Sequence, residues 1–390
     1  MSRFISYGRQ CVEEDDIEAV VDVLRSDYLT QGPRVREFED SLTSYCGTRF
    51  AVCFSSGTAA LHGAYFAAAL CNNDEIITSP MTFIATANAA LFLGARPVFA
   101  DIEPDTGNID VDLIEPAITE KTRAIVPVHF AGHPVELEKA AKLAKKHGLI
   151  LIEDACHATG AQYCDINIGN CKYSDMAVFS FHPVKAITTG EGGAVLTNDE
   201  NFYKKLIMFR QHGVTKECEA FQERKEGCGK WYYEMQYLGY NYRLSDIHCA
   251  LGISQLKKLD RFIQKRREIA GKYSSAFKCN DFFDIPVERS YAKSAWHLYS
   301  VRLKDKFKSC KAEIFAGLRE RGLGVQVHYI PVHVQPYYQQ LGYRKGSCPN
   351  AEDFYEREIS LPLYPAMSGG DIDFVIKNVF EVFELKNMKV

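Results

Sequence analysis

A lysine closes the run Phe179-Ser180-Phe181-His182-Pro183-Val184-Lys185, and Thr188-Thr189-Gly190-Glu191-Gly192-Gly193 follows it closely. A charge just past a buried-type strand, among aromatics, is oddly placed for a surface residue. Desolvation there lowers an amine's pKa and favours the neutral form that condenses with an aldehyde. Gly190, Gly192 and Gly193 make the loop beside it permissive. A solvent-facing loop lysine is the commoner alternative, and Lys185 on its own does not exclude it.

Two further segments bear on that lysine. Ser55-Ser56-Gly57-Thr58 follows an apolar run and opens an alanine-rich helix. A helix N-terminus offers unpaired N–H groups and partial positive charge, so it suits a phosphate, and Ser180 is a candidate to meet the same anion. Taken alone, the segment reads more readily as a plain Ser/Thr cap. In Ile152-Glu153-Asp154-Ala155-Cys156-His157, Asp154 stands at the C-terminal end of an apolar strand, where open α/β sheets place ligand groups. A carboxylate there can pair with a protonated pyridine nitrogen and keep such a ring an electron sink, with His157 reaching a ring oxygen. An acid that merely caps the next helix is the alternative.

The elements that must hold these residues are legible as periodicity. Apolar runs at Ala51–Phe54, Glu75–Thr78, Pro97–Ala100, Ala124–Val128, Ile150–Glu153, Ala177–Phe181 and Ala194–Thr197 alternate with helix-length segments such as Thr58–Leu70 and Val135–His147. Near-continuous apolar strands between helices predict an α/β fold with a mostly parallel sheet covered on both faces. Helices are expected at 13–26, 34–46, 200–213 and 243–275, around a polar, aromatic excursion at 214–242. Beyond about 276 the pattern becomes strand (His297–Leu303), helix (Lys311–Arg321), strand (Val325–Tyr329) and helices at 351–358 and 369–386. The expected organisation is a large domain over 1–275, carrying an N-terminal helical segment and a 214–242 flap, and a small α+β domain over 276–390.

At 390 residues the chain exceeds one ordinary core, which agrees with two domains. A net charge of −4 with scattered Lys and Arg argues against nucleic acid as partner. The 13 cysteines are odd in number and form no C-x-x-C pair, which favours reduced thiols and a cytoplasmic home. The N-terminus turns acidic before any apolar stretch of signal-peptide length, and Gly63–Leu70 is far too short to span a bilayer, so no membrane association is expected. His328 and His333 in HYIPVH lack zinc-type spacing, and no metal is expected. The GEGG loop is neither a P-loop nor a dinucleotide fingerprint.

The ordered blocks DYLTQGP, SSGTAAL, SPMTFIATANA, VFADIEPDTGNID, EDACHATGA, FSFHPVKAITTGEGGAV, LGYNYRLSDI and VQVHYIPVH resemble, nearly end to end, the DegT/DnrJ/EryC1/StrS family of sugar aminotransferases. That family belongs to the fold-type-I, aspartate-aminotransferase-like class. The resemblance implies pyridoxal 5'-phosphate as cofactor and Lys185 as its Schiff-base lysine. It further implies Asp154 on the pyridine nitrogen, His157 near the ring oxygen, Phe83 stacked on the ring, and Gly57, Thr58 and Ser180 at the phosphate. In the G-x-N-x-R segment, Asn241, with Arg243 nearby, is implied to reach the neighbouring subunit's site, which makes the active unit a homodimer.

Several blocks, SYGRQCVEEDDIEAV and AEDFYEREISLPLYP among them, are nearest to the branch of that family that serves pseudaminic acid biosynthesis. By that likeness Tyr7, Leu29, Thr30, Arg243 and the run Gln326–Tyr329, including His328, line a sugar-nucleotide pocket. The implied substrate is a UDP-linked 4-keto-6-deoxy-N-acetylhexose aminated at C4, with L-glutamate as donor. Other 3- or 4-keto-sugars on dTDP, UDP or GDP are the alternative. Sugar dehydratases of the family carry histidine in place of the lysine, so Lys185 favours transamination. A non-catalytic sugar-nucleotide-binding regulator would need a broken site, yet Asp154, Ser180 and Lys185 are all present.

Overall fold

The computed structural model describes residues 3–223 and 229–387. Its centre is a seven-stranded sheet built from Phe50–Phe54 (β1), Glu75–Thr78 (β2), Arg96–Phe99 (β3), Thr122–Val126 (β4), Ile150–Asp154 (β5), Met176–Ser180 (β6) and Gly193–Thr197 (β7). These are the seven expected apolar runs. The spatial order is β1-β7-β6-β5-β4-β2-β3. Every pairing is parallel except those of β7, which runs antiparallel to both neighbours. β1, β5 and β6 therefore point the same way, and their C-terminal ends share one edge.

Helices cover both faces because the strands are buried on both. They are Glu14–Leu24 (α1), Pro33–Cys46 (α2), Gly57–Ala67 (α3), Ala85–Leu91 (α4), Leu137–His147 (α5), Glu200–Phe209 (α6), Asp246–Leu256 (α7) and Leu259–Phe277 (α8). α3 is buried almost all round, which explains its run of alanine and glycine: only small side chains let it approach the sheet. Its first turn is held by Ser56, whose hydroxyl accepts the Ala59 N–H at 3.1 Å.

The C-terminal part is a three-stranded antiparallel sheet of Phe283–Asp284 (β8), Tyr299–Leu303 (β9) and Glu358–Leu361 (β10). It packs with Lys311–Glu320 (α9) and Gly369–Asn387 (α10) around its own apolar cluster, which also takes in Ile5. The 214–242 excursion contains a short antiparallel pair, Val214–Thr215 with Glu234–Met235. Trp231 and Leu238 there are 81% and 72% exposed, and residues 224–228 lie outside the described part.

Two expectations are corrected. The helix expected over 243–275 is two helices, broken at Lys257–Lys258, where the Lys258 ammonium turns in to Asp15 at 2.6 Å and Asp16 at 2.8 Å. The strand expected at Val325–Tyr329 is absent. Leu323–Gly324 pairs with Ile5–Ser6, Gln326 makes a single bridge to Ser360, and then the His328 N–H leaves the ladder for the Glu358 carboxylate at 2.7 Å. A side-chain acceptor has replaced the strand partner.

No helix among the described residues is long and apolar enough to cross a membrane. The cysteines of the described residues are all free.

Candidate active site

Three chain ends meet on the shared edge of the sheet. β1 runs into Ser55 and the start of α3, β5 ends on Asp154, and β6 ends on Ser180. The approach is close: a Cβ added to Gly57 would lie 2.9 Å from Ser180 Cβ and 3.1 Å from its Oγ. Position 57 is glycine because there is no room for more. The first N–H groups of α3 have no intrahelical acceptor, and Ser56 takes only that of Ala59, so Gly57, Thr58 and the Ser180 hydroxyl form an anion-type cradle.

Asp154 is 4% exposed and its carboxylate is oriented from two sides. The Thr86 hydroxyl donates to Oδ2 at 2.6 Å, and the Cys156 N–H donates to Oδ1 at 3.1 Å. Thr86 is itself 2.8 Å from the hydroxyl of Thr82, which stands just ahead of α4. Lys185 follows β6 in a turn closed by its N–H on the His182 carbonyl at 2.9 Å. Burial pulls its amine below the ordinary lysine range, against the charge of Asp154, which favours the protonated form. Burial, reinforced by Asp154, pushes the Cys156 thiol well up, so the thiol stays protonated.

The opposite wall is a stack of neutral rings. His157 Nε2 lies 3.0 Å from the Tyr329 hydroxyl, and the His157 and His297 ring centroids are 4.3 Å apart. Burial, then the Lys185 charge or the neighbouring ring, drives both histidines far below the usual range. His157 Nδ1 is buried and has no hydrogen-bond partner among the described residues, which leaves it free for a ligand oxygen. Tyr329 contacts the half-exposed Phe83 at a 6.2 Å ring separation. His328 stacks edge-on against Tyr329 and lies 5.5 Å from the ring of Tyr7. Gly8, beside Tyr7, faces Val184 of the lysine turn, so the N-terminal segment borders the site.

Lys185, Asp154, His157, Gly57, Thr58, Ser180, Phe83, Tyr7, His328 and Tyr329 are thus brought together. Leu29 and Thr30 are exposed on a loop tied to α7, the Leu29 carbonyl accepting the Asp246 N–H. Gln326 is exposed and held by backbone bonds to Ser360. Asn241 is exposed, while Arg243 lines a cleft with Gln31, Arg36 and Arg210. Between them, Tyr242 bonds the Ser55 N–H, so both flank the anion cradle without joining the Lys185 group within one chain. Of the two HYIPVH histidines, His328 bonds Ser360 and His333 bonds Glu352, in separate places.

Sequence reasoning missed Thr86, His297 and the part played by Cys156. Thr82 and Thr86 share an i, i+4 spacing that signals one helical face, though nothing marks that face as polar. His297 sits in an apolar strand entry, where a histidine reads as core.

The arrangement fits pyridoxal phosphate: an anion cradle at a helix start, a carboxylate held for a ring nitrogen, an orphaned imidazole nitrogen and a lysine with a depressed pKa. Comparison with known proteins agrees. The profile of the DegT/DnrJ/EryC1/StrS aminotransferase family matches residues 10–380. The UDP-4-amino-4,6-dideoxy-N-acetyl-beta-L-altrosamine transaminase of Campylobacter jejuni is 41% identical over 97% of this chain and 98% of its own length. The spore coat polysaccharide biosynthesis protein SpsC of Bacillus subtilis is 40% identical over 98% and 97%. The solved structure of Helicobacter pylori PseC, an aminotransferase involved in the biosynthesis of pseudoaminic acid, superposes with a TM-score of 0.90. It is 39% identical and covers 98% of this chain and 100% of its own.

Proposed function

The chain belongs to the DegT/DnrJ/EryC1/StrS family and is a pyridoxal-phosphate-dependent sugar aminotransferase of fold type I; on that premise we propose that Lys185 is its Schiff-base lysine and a UDP-linked 4-keto-6-deoxy-N-acetylhexose its acceptor. The observation that carries the first part is the Lys185 amine, depressed by burial and lying in the field of Asp154 at the end of β5.

When bound, the cofactor supplies an electron sink for the carbanion formed at the amino carbon. The rest falls to the chain. Gly57, Thr58 and Ser180 bind the phosphate, and Asp154, fixed by Thr86, holds positive charge on the ring nitrogen. His157 stays neutral and offers Nδ1 to the ring oxygen. Lys185 takes the proton from the α-carbon of L-glutamate and delivers it on the far side of the same bond system, a role worth about 10²–10⁴-fold in rate. One water hydrolyses the carbon–nitrogen bond, and 2-oxoglutarate leaves without its amino group. The same residues run the reverse sequence to pass that group to the keto-sugar, which gives ping-pong kinetics. Tyr7, Leu29, Thr30, Gln326, His328 and Tyr329 form the sugar-nucleotide wall. Asn241 and Arg243 serve the site of a second copy, in a cytoplasmic homodimer. Their position beside the cradle but outside the Lys185 group supports that reading.

The acceptor is tested with a panel of 3- and 4-keto-sugars on UDP, dTDP and GDP, with L-glutamate as donor. Amination at C4 of the UDP-linked N-acetylhexose is expected. Turnover confined to another keto-sugar would replace that acceptor, and the near-equal identity to the spore-coat protein keeps this second reading in view.

A further inference from the structure

Glu358 opens β10 in the C-terminal sheet and is fully buried. Three donors surround its carboxylate. The hydroxyls of Ser300 and Ser360 donate to Oε1 at 2.9 and 2.5 Å, and the His328 N–H donates to Oε2 at 2.7 Å. The Ser360 hydroxyl oxygen also lies 2.9 Å from His328 Nδ1. A hydroxyl has one proton to give. If Ser360 gives it to the carboxylate, its oxygen must accept from the imidazole, so His328 carries its hydrogen on Nδ1. Nε2 is then a bare lone pair, with no partner among the described residues. That ring stands between Tyr7 and Tyr329, at centroid distances of 5.5 and 4.8 Å.

We propose that Glu358 is a positioning residue which, through Ser360, fixes the tautomer of His328 and makes its Nε2 a hydrogen-bond acceptor for a hydroxyl or amide N–H of the sugar. This rests on the reading that Tyr7, His328 and Tyr329 face the sugar nucleotide.

The ring's charge does not confuse the assignment. Burial, helped by Lys185, holds His328 at about 3, so it is neutral near pH 7 and only its tautomer can vary. Glu358 is the group that titrates, pushed up to about 7 by burial against its three donors and Lys311 of α9. Tyr329 also lies in its field and stays protonated. When Glu358 takes a proton it donates to Ser360, the Ser360 hydroxyl turns to His328 Nδ1, and the imidazole hydrogen exchanges to Nε2. The acceptor becomes a donor.

Glu358→Gln makes the same change at every pH, because an amide NH2 in place of Oε1 donates to Ser360. The test is ¹⁵N NMR of the histidine-labelled holoenzyme, with His328 identified by its loss in His328→Asn. Above the titration of Glu358, the wild type should show a protonated Nδ1 and a bare Nε2, and E358Q the reverse. The KM for the nucleotide sugar should rise roughly ten-fold in E358Q, as for one lost hydrogen bond, with the first half-reaction on the amino donor unchanged. Should E358Q fail to fold, Ser360→Ala cuts the relay and should abolish the pH dependence of the tautomer. One tautomer common to the wild type and E358Q, or a pH dependence that survives S360A, overturns the proposal. An inverted tautomer with unchanged KM overturns its sugar-facing half. Absence of any transamination in the wild type would instead remove the functional reading beneath it.

Discussion

The Thr86 hydroxyl donates to the Asp154 carboxylate at 2.6 Å, joining the first turn of α4 to the end of β5 across the floor of the site. The bond restrains the carboxylate from which the proposed electron sink draws its support. Thr86→Val keeps the shape and removes the donor. A hydrogen bond to a charged group contributes about 1.5–3 kcal/mol, so cofactor affinity should fall by roughly ten-fold or more. Equilibrium titration with pyridoxal phosphate measures it. Asp154→Asn should go further and slow both half-reactions by on the order of 10²-fold, as for loss of a preorganised electrostatic group. Unchanged single-turnover rates in both would refute that role for Asp154.

Gly57 is the tightest point of the anion cradle. In Gly57→Ala the new methyl would meet Ser180 Cβ at 2.9 Å and stand where the phosphate must approach. Overpacking of that kind costs about 1–3 kcal/mol. Cofactor dissociation should quicken, with global stability changed less than cofactor retention. Retention equal to wild type would place the phosphate elsewhere.

Burial lowers the folded-state pKa of Lys185, so the folded chain binds fewer protons than the unfolded one between that lowered value and about 10.4, the ordinary lysine value. Stability of the cofactor-free protein therefore carries a cost below the lowered pKa, and the cost is relieved as pH rises through this interval. Lys185→Met removes it. The cofactor-free variant should melt above the cofactor-free wild type at neutral pH, and the gap should close in alkali. Calorimetry across pH reads both; an equal or lower melting temperature at neutral pH would contradict the account of Lys185.

Much of this was legible in the sequence because a buried parallel sheet writes itself as continuous apolar runs. All seven strands of the central sheet fell on such runs, and Lys185 stood out because a charge among them has no ordinary explanation. What stayed hidden depends on contacts across long separations. Thr86 lies in an alanine-rich helix start, 68 residues from the carboxylate it serves. Val325–Tyr329 has the composition of a strand, but the His328 N–H is taken by Glu358, 30 residues on, and no local pattern announces that exchange. His297 and Glu358 sit inside core strands or at their entries, where a polar residue looks like an isolated exception until its partners are placed. The break at Lys258 is similar, since its acids, Asp15 and Asp16, come from the other end of the chain.

The central claim, that Lys185 carries the cofactor, is tested most directly by reducing the holoenzyme with borohydride and mapping the modified peptide by mass spectrometry. The account predicts one phosphopyridoxyl group, on Lys185 within FHPVKAITTGEGG, and neither that adduct nor transamination in Lys185→Ala. Modification of a different lysine, or full turnover by the alanine variant, would contradict it.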